Sequence, residues 1–318
     1  MRAFALALLI WAGPALAGEA FVVNQISEDV SVVDLGAGTV AATIPIGGKP
    51  AGVAVSADGR RVYVTSPEGG FVSVIDAAAR AVLRRIPVPD APLGVAAHPD
   101  GRIFVAPWHS SKLLALDPET GVTLGEAAVG VSPSGVAVTP DGALVLTADR
   151  DSDQVSIIDA ATIKSLGVVK TGERPFGVTI DADGKRAYTA NVGTNDVTEI
   201  DIAARAAVAR VKVGERPYAV ALANGRAFVT NQYASTVSVF DAATFAPVAT
   251  ISVGFYPEGI AASADGARVY AANWESNTLS VIDAASLAVA GEIEVGDGPR
   301  AFGQFIRPVS RASPPPAR

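Results

Sequence analysis

One aspartate returns along nearly the whole chain at an almost constant distance, and that recurrence constrains the fold more than any other feature. It closes segments of the Val-Ser-Val-Ile-Asp type at Asp34, Asp76, Asp117, Asp159, Asp201, Asp241 and Asp283, at intervals of 40 to 42 residues. Two further markers run in phase with it. A proline leads into each Gly-Val-Ala-like segment, at Pro50, Pro92, Pro133, Pro175, Pro217, Pro257 and Pro299. An aromatic-apolar segment ends in a small polar residue at Phe21 to Asn24, Tyr63 to Ser66, Tyr188 to Asn191, Phe228 to Asn231 and Tyr270 to Asn273. A period of this length, with four strand-sized segments per unit, marks the blades of a propeller, each of which needs its neighbours to bury its faces.

Each unit reads as four strands. Strand A runs from Ala51 to Ser56 in the clearest copy, and its Gly and Ala let blades crowd at the axis. Ala57-Asp58-Gly59 is a tight turn, repeated at Asp100-Gly101, Asp141-Gly142, Asp183-Gly184 and Asp265-Gly266. Strand B is the aromatic-apolar segment, strand C ends in the marker aspartate, and strand D resembles Val248 to Gly254. The aspartate is expected to open a turn by accepting bonds from its own backbone. The reading is therefore all-β: a seven-bladed β-propeller with four antiparallel strands per blade, spanning residues 18–309. The chain enters in strand B, at Phe21 to Asn24, and leaves in strand A, at Ala301 to Ile306. One blade must then combine N-terminal strands B, C and D with the C-terminal strand A, which closes the ring and hides an edge that invites aggregation.

These markers resemble the YVTN-type β-propeller repeat, most closely in Phe228-Val229-Thr230-Asn231 and Tyr270-Ala271-Ala272-Asn273. The resemblance covers nearly all of residues 20–306. Ser66, Pro107 and Asp149 replace the Asn, so irregular strand ends are expected there. The resemblance implies an exported protein, similar to a branch that accompanies quinone-dependent alcohol oxidation. Enzymes of the same architecture include lactonases and lyases, so the alternatives are a propeller enzyme or a redox accessory binding a quinone or heme partner.

The two ends support export. Arg2, the apolar run Ala3 to Trp11 and Ala15-Leu16-Ala17 read as a signal peptide cleaved after Ala17, giving a periplasmic or extracellular protein; residues 310–318 read as a disordered Pro- and Arg-containing tail. No later apolar run is long enough to span a bilayer, and membrane insertion of the mature chain is not expected. Losing Arg2 takes the net charge from −7 to −8, which disfavours nucleic acid as a partner. The chain has no Cys and two His, and no nucleophile elbow or phosphate loop. No cofactor and no metal site are expected. His109 with Glu275 or Asp151, and the run Asp149, Asp151, Asp153, are the closest approaches to a metal-ligating group. A monomer is expected.

In a four-stranded blade the D-to-A and B-to-C loops emerge on one face, and that face collects the non-repeating side chains. Candidate ligand- or partner-binding residues there are Lys49, Trp108, His109, Arg150, Arg174, Phe176, Arg216, Tyr218, Tyr233, Tyr256, Glu258, Trp274, Glu275 and Arg300, with Gln25 and Gln232 beside them. Aromatics mixed with Arg are the composition of a binding surface. Lys49, Arg174, Arg216 and Arg300 flank the recurring proline and are expected to ring the channel mouth, where a small anion or an acidic patch of a partner fits. Glu173 and Glu215 stand next to two of these cations and compete as neutralising partners. The sequence thus predicts a non-enzymatic binding or scaffold propeller with no catalytic residues.

Deleting residues 18–24 should leave the ring open. The expected outcome is a lower melting temperature or self-association on size-exclusion chromatography; a monomer that melts unchanged would contradict this closure.

Overall fold

The computed structural model describes residues 18–307. The signal peptide and the tail expected from the sequence lie outside the described residues. Seven sheets stand radially about a channel, six of four strands and one, in the second blade, extended to five. In the second blade, for example, the strands are Gly52–Val55, Arg61–Ser66, Phe71–Asp76 and Ala81–Pro87, paired antiparallel in order from the axis outward. Strands B and C are almost wholly buried because both faces meet a neighbouring blade, as in Phe71–Asp76. Strand D buries little more than one residue on the periphery, as Ile44, Ile86 and Ile293 do. The core is therefore a set of inter-blade layers rather than one central cluster. Among the described residues the one helical element is the short 3-10 turn Arg150–Ser152.

Close approach at the axis depends on the strand A glycines. A Cβ on Gly94 would collide with the Ser134 carbonyl of the next blade, and one on Gly52 with that of Leu93. Strand B hydroxyls bridge the same gap: Thr65 Oγ1 donates to Leu93 O at 2.7 Å, and Thr230 Oγ1 to Glu258 O at 2.7 Å. The Thr of the repeat thus ties one blade to the next.

The Asn marker has an equally local cause. Asn191 Nδ2 donates to Asp196 and Thr198, and Asn231, Asn273 and Asn24 make the same bonds to the residues five and seven positions on. Asp149 was expected to disturb its strand end, but its blade keeps full six-pair register. Its carboxylate takes the Asn position and accepts from Gln154 and Ser156, again five and seven residues on, and from Gly130 N–H and Thr147. Ser66 also keeps full register, although its shorter side chain leaves Ser73 Oγ unpartnered. At Pro107 the expected irregularity is real. Strand C of that blade pairs with strand B over three residues, Leu114 to Leu116.

Closure occurs where expected, with one difference. The C-terminal strand A is not continuous. Ile306 and Arg307 pair antiparallel with Ala20 and Glu19, while Phe302–Gln304 pairs in parallel with strand A of the second blade. The break lies at Gly303, whose φ of 125° bends the strand, and at Phe305, which is fully buried and accepts a bond from Phe21 N–H at 2.8 Å. Arg307 then meets Glu19 at 2.7 Å. This inserts Phe302 into the top of the channel.

The marker aspartates do open turns. Asp76 accepts from the N–H groups of Ala78 and Ala79, and Asp241 and Asp283 repeat the pattern. These donors hold the carboxyls of Asp76, Asp159, Asp241 and Asp283 below the ordinary range, and the Thr120 hydroxyl with nearby N–H groups does so for Asp117. At Asp100 burial pushes upward, but bonds from Arg102 and His98 outweigh it and bring the carboxyl to about 2. A depressed carboxyl stabilises the fold above its unfolded pKa and loses that contribution as pH falls through the folded value. Asp149, Asp181 and Glu199, raised by burial, act in the opposite sense and are outnumbered. The melting temperature should therefore fall steeply between about pH 4 and about pH 2; a flat profile over that interval would contradict the turn assignment.

Candidate binding site at the channel mouth

The site is built from three residues per blade, all placed by the loop around the recurring proline. The residue before it has positive φ in every blade: Lys49, Ala91, Ser132, Arg174, Arg216, Tyr256 and Gly298. Pre-proline residues are ordinarily extended, and non-glycine residues with positive φ are uncommon. This conformation turns the carbonyl toward the B-to-C loop. There it accepts the first N–H after strand B: Trp108 to Ala91, Arg150 to Ser132, Val192 to Arg174, Gln232 to Arg216, Trp274 to Tyr256 and Gln25 to Gly298. The second blade lacks the bond, because Pro67 occupies that position and has no N–H. The third ring is the residue after the proline: Ala51, Leu93, Ser134, Phe176, Tyr218, Glu258 and Arg300.

From these rings comes a cavity of about 670 Å³ over the channel axis. Its floor is aromatic. Phe176 lies 4.2 Å from Tyr218 and 4.9 Å from Phe302, and Trp108 stands 6.0 Å from Phe176 at the side. Below this plug a smaller space of about 210 Å³ runs between the inner strands. The channel is therefore blocked, not open.

Nine of the predicted site residues line the cavity: Lys49, Trp108, His109, Arg150, Phe176, Arg216, Tyr218, Glu258 and Arg300, with Gln25 and Gln232. Arg174, Tyr233, Tyr256, Trp274 and Glu275 do not. Arg174 shares the backbone geometry of Arg216, but its blade offers Val192 where the next offers Gln232 and Tyr233, and its side chain is exposed. Tyr233, Tyr256 and Trp274 form an outer ridge with ring separations of 5.8 and 6.5 Å. Sequence reasoning missed Pro67, Glu68, Ala91, Leu93 and Val192, which also line the cavity. Four of these are apolar and drew no attention by type; Ala91, Leu93, Pro67 and Val192 occupy the three ring positions, and reading the rings in phase would have found them.

The charges differ from the expected pairing. Lys49 pairs with Glu28 at 3.0 Å, Arg150 with the adjacent Asp151, and Arg300 with Glu258 at 2.7 Å. Glu173 and Glu215 form no ion pair with Arg174 or Arg216 among the described residues. Arg216 has instead the Tyr233 ring under its guanidinium at 4.6 Å and donates to the Tyr233 hydroxyl at 2.6 Å. Glu258, 4% exposed, accepts from Gln232 Nε2 at 2.6 Å and from Arg300 Nε at 2.7 Å. Arg300 also donates to the Tyr218 hydroxyl. Burial pulls the Arg300 guanidinium down, but Glu258 and Tyr218 outweigh it and hold it above its ordinary value, while burial pushes the Tyr218 hydroxyl up.

No group of three or more His, Asp or Glu able to hold a metal ion occurs among the described residues. His109 is exposed at the cavity rim, and His98 is buried beside an Asp-Gly turn, its Nδ1 2.7 Å from Asp100. Asp151 is taken by Arg150, and Asp153 Oδ1 accepts from Arg174 N–H at 2.8 Å.

Fold and site together define a seven-bladed β-propeller with a plugged channel and a cationic, aromatic cavity on one face. The chain belongs to the YNCE-like beta-propeller family, whose profile matches residues 15–101 and 114–305. The gap between the two matched stretches spans Pro107, Trp108 and His109, where strand pairing shortens. No curated protein matched. Among solved structures, the chain is similar to one described as hydrazine synthase from Kuenenia stuttgartiensis, with 22% identity over 88% of this chain and 99% of that one and a TM-score of 0.75. It is also similar to a functionally unknown protein from Desulfotomaculum acetoxidans, with 18% identity over 90% and 99% and a TM-score of 0.76. At these identities the likeness is one of fold.

Replacing Glu258 by Ala leaves Arg300 and Gln232 buried without their acceptor. Such a change should cost about 3–5 kcal/mol of unfolding free energy, read by denaturant unfolding; a loss below about 1 kcal/mol, the worth of an exposed pair, would contradict the buried geometry.

Proposed function

We propose that this protein is an exported, non-enzymatic binding propeller that engages a ligand or an acidic group of a partner in the channel-mouth cavity. The observation that carries the reading is the convergence of Lys49, Arg150, Arg216 and Arg300 with Trp108, Phe176 and Tyr218 in one concave site of a net acidic chain. Lys49, Arg150 and Arg300 are already paired with Glu28, Asp151 and Glu258, and Arg216 is left to receive an anionic group. Binding is favoured over lactonase- or lyase-like turnover because the buried carboxylate of the site is already engaged. Glu258 is held from both sides by Gln232 and Arg300, which suits a structural anchor better than a general base. Export rests on the leader-like N-terminus, and a place beside quinone-dependent alcohol oxidation rests on the repeat resemblance alone.

The mature protein, incubated with extract of its native compartment and examined by native mass spectrometry, should retain a bound molecule or partner. Arg216→Ala should weaken that retention at least about tenfold, the worth of one charge-assisted bond. Arg174→Ala should leave it unchanged. Equal retention by wild type and the Arg216 variant would overturn the assignment of this cavity.

A further inference from the structure

Two groups of the cavity are left without the partner their surroundings call for. Gln232 is 7% exposed, and its Oε1 is buried with no hydrogen-bond partner. Its orientation is fixed, because Nε2 donates to Glu258 at 2.6 Å and a flipped amide would set oxygen against carboxylate. The orphan is therefore an acceptor, and a buried acceptor left empty is a penalty on the fold that a ligand donor would remove. Arg216 is the second. It is the cavity's one cation without a carboxylate partner among the described residues, and its Nε is also buried and unpartnered. Its guanidinium is held over the Tyr233 ring and by the Tyr233 hydroxyl, so little rotamer freedom remains to be lost on binding.

Both groups come from one blade, joined by the bond from Gln232 N–H to Arg216 O at 2.9 Å. A ligand satisfying both presents an anionic oxygen and, close to it, an N–H or O–H donor. The remaining wall is the aromatic floor with Trp108 at its side, a surface for a flat apolar body. Resting on the binding reading above, we propose that the cavity takes a planar aromatic carboxylate with a hydrogen-bond donor adjacent to the carboxylate. Arg216 receives the carboxylate, Gln232 Oε1 accepts from the donor, and Trp108 and Phe176 cover the ring.

Three probes separate these contributions by isothermal titration of the mature protein: indole-2-carboxylate, benzofuran-2-carboxylate, which keeps plane and charge but lacks the donor, and indole, which lacks the charge. Indole-2-carboxylate should bind at least about tenfold tighter than either. Gln232→Leu should erase its advantage over benzofuran-2-carboxylate while leaving the latter's affinity within about twofold, and Arg216→Ala should weaken both carboxylates without affecting indole. Circular dichroism melting of each variant reports whether it is folded, and Gln232→Met serves as a second variant where Leu disturbs Glu258. Equal affinity for the two carboxylates in the wild type overturns this inference and leaves the binding reading standing. Failure of all three probes overturns the inference; only failure of the extract experiment removes the binding reading itself.

Discussion

The cavity face depends on one backbone constraint, the left-handed turn of the residue before each proline. Rotating that peptide aims its carbonyl at the loop after strand B, and in six blades the loop answers with an N–H. Residues in this conformation carry about 1–3 kcal/mol of strain each and persist only when surrounding bonds over-determine them. Here they do. The amides of Arg174 and Arg216 are also taken by Asp153 and Asn195 side chains at 2.8 Å. Strand A must start immediately afterwards, so the residue before the proline, the residue after it and the first residue after strand B acquire fixed positions around the axis. Seven repeats of one local solution produce three concentric rings whose side chains are free to differ.

That freedom separates scaffold from site. Repeating residues spend their chemistry inside the blades: Asn binds the residues five and seven positions on, Thr bridges to the next blade, and Asp caps the C-to-D turn. Some ring residues do tie blades together: Ser134 Oγ donates to Phe176 O of the next blade at 2.8 Å, and Lys49 pairs with Glu28 of the preceding blade. Glu258 and Arg300 sit on consecutive blades across the closure, and their buried pair joins the last complete blade to the one assembled from both chain ends. A buried pair of this kind is weak evidence for net stability but strongly specifies which groups must meet.

How much of this could be read in advance follows the same division. Blade number, strand order and turn aspartates were legible because each is written seven times, and periodic in-phase signals average out local noise; the closing arrangement follows from their phase. The face carrying the cavity was legible as well, since loop order in a blade fixes it. Side-chain direction was not. Arg174 and Arg216 look alike in sequence and share φ, yet Tyr233 beside Arg216 and Val192 beside Arg174 send one into the cavity and leave the other in solvent. The partner of Lys49 is Glu28, 21 residues earlier and in another loop, which no local pattern announces. Asp149 looked like an irregularity because the repeat was read by residue type; by hydrogen-bond geometry it is another way of filling the Asn site. The split closing strand depends on Gly303 and the burial of Phe305, which occur once.

The central claim is that the partly exposed ring residues of the cavity wall serve a ligand and not the fold. Replacing Trp108, Arg150 and Arg216 together by Ala, all partly exposed at the cavity wall, and measuring melting temperature alongside ligand retention in one sample tests this most directly. The account predicts a melting temperature within about 4 °C of wild type, the shift expected from roughly 1 kcal/mol, with retention abolished. A variant that unfolds tens of degrees early, or one that retains its ligand as wild type does, would contradict it.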